Sequence, residues 1–139
     1  DHWVAFRVKG GEDEVLFDSG KAEVNPVAYD VLEQVAFTLS QVLFPVRIEG
    51  HTDSDPINTP RFPSNWELST ARAVNVLKFL IRAGDLNPAR LSAVGYGESK
   101  PVAENDGPAS KAKNRRVEIV IETPEKSEKE HSVPNSRIE

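Results

Sequence analysis

Residues able to hold opposite charges cluster in one short stretch of this 139-residue chain. His51, Asp53 and Asp55 follow directly on an alternating segment. After a proline-rich loop, Asn65, Ser69 and Arg72 recur at steps of four and three. Those steps put the last three on one face of a helix near its N-terminus, beside an apolar stripe that begins at Leu68. An acid on the loop and a guanidinium on the helix would then flank one small cleft. Asp53 suits an ammonium, and Arg72 offers a planar fork to a carboxylate. The ligand that matches both is a zwitterion, either an amino acid or a peptide stem carrying both charges.

Plainer roles compete for the same residues. Asp53 can cap its own loop through backbone amides, and Arg72 can snorkel along the helix surface. Asn65 is a natural helix cap, and Ser69 reads as a small residue near the helix start. The alternation of His51, Asp53 and Asp55 suggests a metal, but Pro56 at once ends the extended run that would keep them on one side. His2 and His131 lie near the ends of the chain, so no metal site is expected. Asp53 with Asp55 or Glu67 can be drawn as a carboxylate pair for glycan cleavage. An arginine beside Asp53 suits binding better than general-acid work, so no catalysis and no cofactor are expected. Trp3 and Trp66 are residues that can stack on sugars, although Trp66 serves equally well to anchor the loop.

These residues need elements to hold them. Trp3 to Val8 reads as a strand broken by Gly10 and Gly11, with Val15 to Phe17 a second extended piece. Asn25-Pro26 starts a helix well. Val27, Val31, Val35, Leu39 and Val42, widened by Ala28, Leu32 and Leu43, give an amphipathic helix of about 18 residues ending before Pro45. Val46, Ile48 and Gly50 alternate with Arg47, Glu49 and His51 as a half-exposed strand. A polar loop runs from Thr52 to Pro63. A second helix starts at Ser64 or Asn65 with Glu67 in its first turn; its buried stripe is Leu68, Ala71, Val74, Leu77 and Leu80 or Ile81. Gly84 ends it at a left-handed position. Leu91 to Tyr96 and Val117 to Glu122 are further strands, joined by a long polar connection from Gly97 to Asn114 with a helical turn near Ala109 to Lys113. The order β-α-β-α-β-β predicts an α+β sandwich, two main helices on one face of a small mixed sheet.

Composition narrows the function. Hydrophobic residues make up 38% and charged residues 28%, so a core forms only if the apolar positions are well patterned. Apolar runs are only a few residues long, which excludes a membrane-spanning helix in this sequence, and Asp1 to Lys9 lacks the apolar region of a signal peptide. Cysteine is absent, which removes disulfides, thiolate zinc and cysteine nucleophiles. Methionine is absent too, as expected of a processed or excised piece. The net charge of −5 argues against sequence-blind nucleic-acid binding, which needs a basic face. Beyond residue 122 the chain is rich in Pro, Ser, Glu and Lys. The expected division is a domain over 1–122 and a disordered polar tail over 123–139.

Several motifs are distinctive as groups: Leu16-Phe17-Asp18-Ser19-Gly20-Lys21-Ala22, Ile48-Glu49-Gly50-His51-Thr52-Asp53, Asn65-Trp66-Glu67-Leu68-Ser69 with Arg72-Ala73, Val94-Gly95-Tyr96-Gly97-Glu98, Pro101-Val102-Ala103 and Asn114-Arg115-Arg116-Val117-Glu118-Ile119. In this order they resemble the OmpA-like peptidoglycan-binding domain. The loop Pro56 to Ser64 resembles the flagellar stator branch (the MotB/PomB/MotD group), whereas porin and Pal-type lipoprotein branches usually have a shorter loop. The resemblance implies that Asp53 binds the ammonium of diaminopimelate in a peptidoglycan stem and that Arg72 binds a carboxylate of the same residue. It also implies that Thr52, Asn65 and Leu68 line the pocket and that Arg116 approaches the ligand carboxylate. The implied setting is the periplasmic domain of an inner-membrane-anchored bacterial protein, a homodimer with an ion-channel partner of the MotA/PomA type. Ile57 and Phe62 on the long loop are candidates for an interface, or equally for packing on their own domain.

Overall fold

A computed structural model describes residues 2–7 and 16–123 of the chain. Asn25 caps the first helical segment through its side chain, which accepts from the Val27 N–H at 3.2 Å, and Pro26 follows at the first position. One 3₁₀ turn, Pro26–Ala28, leads into helix α1, Tyr29–Ser40. The helix ends earlier than the valine spacing suggests, so Leu43 lies beyond it and stays 83% exposed. Its buried row is Ala28, Leu32, Ala36 and Leu39, while Val31 and Val35 flank it and Val27 is exposed. Helix α1 is thus rotated toward its alanines, and small residues there let α2 approach.

Helix α2 spans Asn65–Gly84 and begins with Ser64 as its cap. The Ser64 hydroxyl accepts from the Trp66 N–H at 3.1 Å and donates to the Glu67 carboxylate, a capping box in which Glu67 is held below the usual carboxylate pKa. The buried row of α2 is Leu68, Ser69, Arg72, Ala73, Val76 and Leu80; Ala71, Val74, Leu77 and Ile81 are half-buried at its margin. At the far end, Asp85 and not Gly84 takes the left-handed conformation, φ 52°. Gly84 serves close packing instead: a Cβ there would lie 2.8 Å from the Ala36 carbonyl oxygen of α1.

Four strands form the sheet: β1 (His2–Arg7), β2 (Val46–Gly50), β3 (Leu91–Gly95) and β4 (Val117–Thr123), in the spatial order β1-β4-β2-β3. β2 and β3 run parallel, joined through α2, and the pairs β1–β4 and β2–β4 are antiparallel, so the sheet is mixed. The two-layer α+β architecture with both long helices on one face is the expected one. The half-exposed reading of β2 needs correction. It is a central strand, and even Glu49 on its polar side is nearly buried. Leu16 and Phe17 are not strand but bends that drop both side chains into the core. A short helix α3, Pro108–Asn114, occupies the long connection near the expected turn.

The core lies between helices and sheet, where Phe17, Leu32, Leu39, Val76 and Leu80 meet Val46, Ile48, Val117 and Ile119. A second small cluster joins Ala22, Phe62 and Leu68, with Ile57 packed against it. Ile57 and Phe62 therefore pack on their own domain, with Ile57 half-buried. Gly10, Gly11, Val15 and the polar tail beyond Thr123 lie outside the described residues. Among the described residues, no helix is long and apolar enough to cross a membrane.

Candidate functional site

Two glycines set the geometry of the site. Gly50 and Gly95 are register partners at the ends of β2 and β3, and α2 lies directly on both. A Cβ on Gly50 would fall 2.1 Å from the Ser69 carbonyl oxygen, and one on Gly95 would fall 2.3 Å from the Thr70 hydroxyl. Only hydrogen side chains allow this contact. It brings the first turns of α2 beside His51, Thr52 and Asp53 as the chain leaves β2. Ser69, expected to be merely small, ties the two together: its hydroxyl accepts from the Gly97 N–H at 2.8 Å and donates to the Trp66 carbonyl.

Asp53 is buried and uses both carboxylate oxygens. Oδ1 accepts from the Asp55 N–H at 3.0 Å, closing the loop turn, and Oδ2 receives Arg115 Nη1 at 2.7 Å. Asp55 pairs in turn with Lys111 of α3 at 2.7 Å, which raises the Lys111 pKa through that hydrogen bond and the acid's charge. Two acids of the loop are thus clasped by two cations from the α3–β4 region.

Arg72 is 1% exposed and lies with its guanidinium carbon 4.8 Å from the Phe17 ring centroid. It donates to three backbone carbonyls, from Nε to Lys21 at 2.8 Å, from Nη1 to His51 at 3.2 Å and from Nη2 to Asp18 at 3.0 Å. Burial pulls its pKa down to about 10, opposed by the negative charge of Asp53 and assisted by the positive charge of Arg115. Three of its five N–H groups are therefore spent on the walls of the cleft.

The other predicted residues divide. Thr52 is buried, with its hydroxyl donating to the Asp53 carbonyl and its N–H to Gly97. Asn65 is not the cap; its amide nitrogen donates to the Asp55 carbonyl at 3.1 Å and to Glu98 at 2.8 Å. Leu68 floors the region from the small cluster under the loop. Arg116 is not brought to Asp53: it pairs with Glu118 at 2.9 Å and donates to the Lys100 carbonyl. The arginine at Asp53 is its neighbour Arg115, which also donates to the Phe17 carbonyl at 3.0 Å. Alternation along the extended chain explains the exchange, because Arg115 shares a side with core-facing Val117 and Arg116 shares one with Glu118. Asn114 was missed as well; fully buried, it accepts from the Val102 and Ala103 N–H groups and donates to Ala103 and Asn105.

The residues first considered for a metal go to separate partners: the His51 ring stacks on Tyr96 at 5.4 Å, Asp53 meets Arg115 and Asp55 meets Lys111. A different group, Glu49, His51 and Glu118, has ligand atoms within 4.8 Å of one another. Its two glutamates already pair with Arg47 and Arg116, which a cation would have to displace. Asp53, Asp55 and Glu67 are each engaged by a different group, Arg115, Lys111 and the Ser64 hydroxyl.

Comparison with known proteins agrees with this architecture. Over 113 residues, the chain is 43% identical to motility protein B of Bacillus subtilis, covering 79% of this chain and 42% of that protein. It is 41% identical over 114 residues to outer membrane porin F of Pseudomonas fluorescens, covering 80% and 33%. The chain thus spans less than half the length of these curated relatives. Among solved structures, the cell wall anchor of the T6SS from Pseudomonas aeruginosa superposes with a TM-score of 0.70 at 39% identity, over 86% of this chain and 79% of that one. The OmpA family model matches residues 16–115, from the bend that Arg72 holds to the arginine that meets Asp53, and the chain belongs to the OmpA family.

Proposed function

We propose that this domain is a non-catalytic module that binds peptidoglycan through the diaminopimelate of the stem peptide, and that it anchors a flagellar stator to the cell wall. The observation that carries the reading is the Asp53–Arg115 pair at 2.7 Å, with the buried Arg72 guanidinium held on the carbonyl of His51, two residues before Asp53. An amino acid carrying an ammonium and a carboxylate exchanges this one ion pair for two. Asp53 receives the ammonium, and the carboxylate goes to Arg115 and to the N–H groups that Arg72 keeps in reserve. No unpaired charge is left in the cleft, which is the condition for a buried ionic site to bind at all. Thr52, Asn65 and Leu68 shape the walls. Arg116 holds the connection before α3 and acts only at a distance.

The likeness to motility protein B supports the stator setting, a periplasmic domain of an inner-membrane-anchored protein working as a dimer with an ion-channel subunit. The likeness to porin F favours a second reading with the same ligand, a tether between wall and outer membrane. Pelleting with purified diaminopimelate-type peptidoglycan tests the shared claim. Wild type sediments with the wall, and Asp53→Ala and Arg115→Ala remain in the supernatant with their thermal unfolding cooperative. Retained pelleting by both variants would overturn the pocket. Soluble muropeptides released on prolonged incubation would overturn the non-catalytic reading.

A further inference from the structure

An open groove of about 490 Å³ runs along the outer side of α2, lined by Arg61, Phe62, Trp66, Thr70, Val74 and Asn75 among others. Residues 66 to 75 extend it over about 14 Å at the helical rise. It is separate from the Asp53–Arg115 pair yet adjoins its loop, because Trp66 lies against Gly97, whose carbonyl accepts from the N–H of Thr52, the residue before Asp53, at 2.9 Å. Trp66 is 56% exposed, unusual for so large an apolar side chain. It is nonetheless held in place: the position of a Cβ on Gly97 lies 3.4, 3.5 and 3.6 Å from three atoms of the indole, all in its six-membered ring. The ring therefore lies against the Gly97 backbone as a supported platform. Polar groups edge the groove, with Arg61 paired to Glu23 at 2.8 Å and Asn75 donating to the Ala22 carbonyl at 2.8 Å. Asn75 keeps its side-chain oxygen as an acceptor.

We infer that this groove is a saccharide subsite, taking the glycan to which the stem peptide is attached, with a pyranose ring laid on Trp66. A sugar presents an apolar face of C–H groups and a rim of hydroxyls. An exposed, supported indole bordered by a guanidinium and an amide complements both. A peptide partner is less well matched, since the groove lies along a helix with no strand edge to extend, and its two charged residues, Arg61 and Glu67, are already engaged by Glu23 and Ser64. The inference rests on the peptidoglycan reading above and deepens it: the wall would be gripped at two adjoining places, the stem residue at Asp53 and the sugar at Trp66. Linking the two contacts in one ligand makes the second effectively intramolecular.

Calorimetric titration with two probes tests it, the diaminopimelate-containing stem tripeptide alone and the same tripeptide on an N-acetylglucosaminyl–N-acetylmuramyl disaccharide. Wild type is expected to bind the disaccharide form about tenfold tighter, the gain from covering one indole face. Trp66→Ala should lose that gain while binding the free tripeptide as wild type does, and Trp66→Phe should recover part of it. Equal wild-type affinity for both probes, or a gain that survives in Trp66→Ala, would overturn the subsite and leave the stem pocket standing. Failure of wild type to bind the free tripeptide would overturn the peptidoglycan reading, and the subsite with it.

Discussion

Arg72 has the chemistry of a ligand contact and the burial of a core residue, and the two make different demands on experiment. Truncation to alanine removes the donor to the Lys21 and His51 carbonyls, leaves Asp18 only its bond from the Lys21 N–H, and opens space over Phe17. We expect Arg72→Ala to lose at least about 3 kcal/mol of stability, read as a lower urea midpoint at unchanged slope. Arg72→Lys should recover only part, since one ammonium cannot span three carbonyls. A stability loss below about 1 kcal/mol would show that the guanidinium is not what holds the 16–22 bend. Asp53→Asn is the cleaner probe of binding, because an amide oxygen can still accept from the Asp55 N–H. The sequence made Asp53 and Arg72 legible as an acid and a base near one cleft. It did not make Arg115 legible, because two adjacent arginines are distinguished only by which side of an extended chain each faces.

At the scale of elements, the helices and strands were readable from periodicity and caps, while the faces they bury were less so. The valines of α1 mark the edge of its stripe and the alanines its centre, since helix–helix approach selects small residues that a hydrophobicity pattern undervalues. The same holds for Gly50, which looked like one more strand residue and is the point on which α2 rests. Gly50→Ala should cost about 1–3 kcal/mol or more through overpacking against the Ser69 carbonyl, measurable by chemical denaturation. At the start of α2, Ser64→Ala should cost about 1 kcal/mol. It should also return the Glu67 carboxyl toward its usual pKa of 4.5, as followed by NMR titration. Because the folded state holds that proton less tightly than the unfolded chain, the stabilisation is present at neutral pH. It fades as pH falls through the lowered folded value, and the variant should lack this loss.

For the whole molecule, the architecture delivers loop acids from one side of the cleft and cations from the other. The β2–α2 loop brings Asp53 and Asp55, the α3–β4 region brings Lys111 and Arg115, and Arg72 secures the 16–22 bend between them. This arrangement was invisible to local patterns because its pairs are 56 and 62 residues apart in sequence. The central claim is that Asp53 exchanges Arg115 for a ligand ammonium. Calorimetry with a stem tripeptide containing diaminopimelate, against an analogue lacking only the side-chain ammonium, tests it most directly. The account predicts that wild type binds the first and not the second, and that Asp53→Asn binds neither while still unfolding cooperatively, at a lower midpoint because Arg115 loses its buried partner. Equal binding of both peptides by wild type, or undiminished binding by Asp53→Asn, would contradict it.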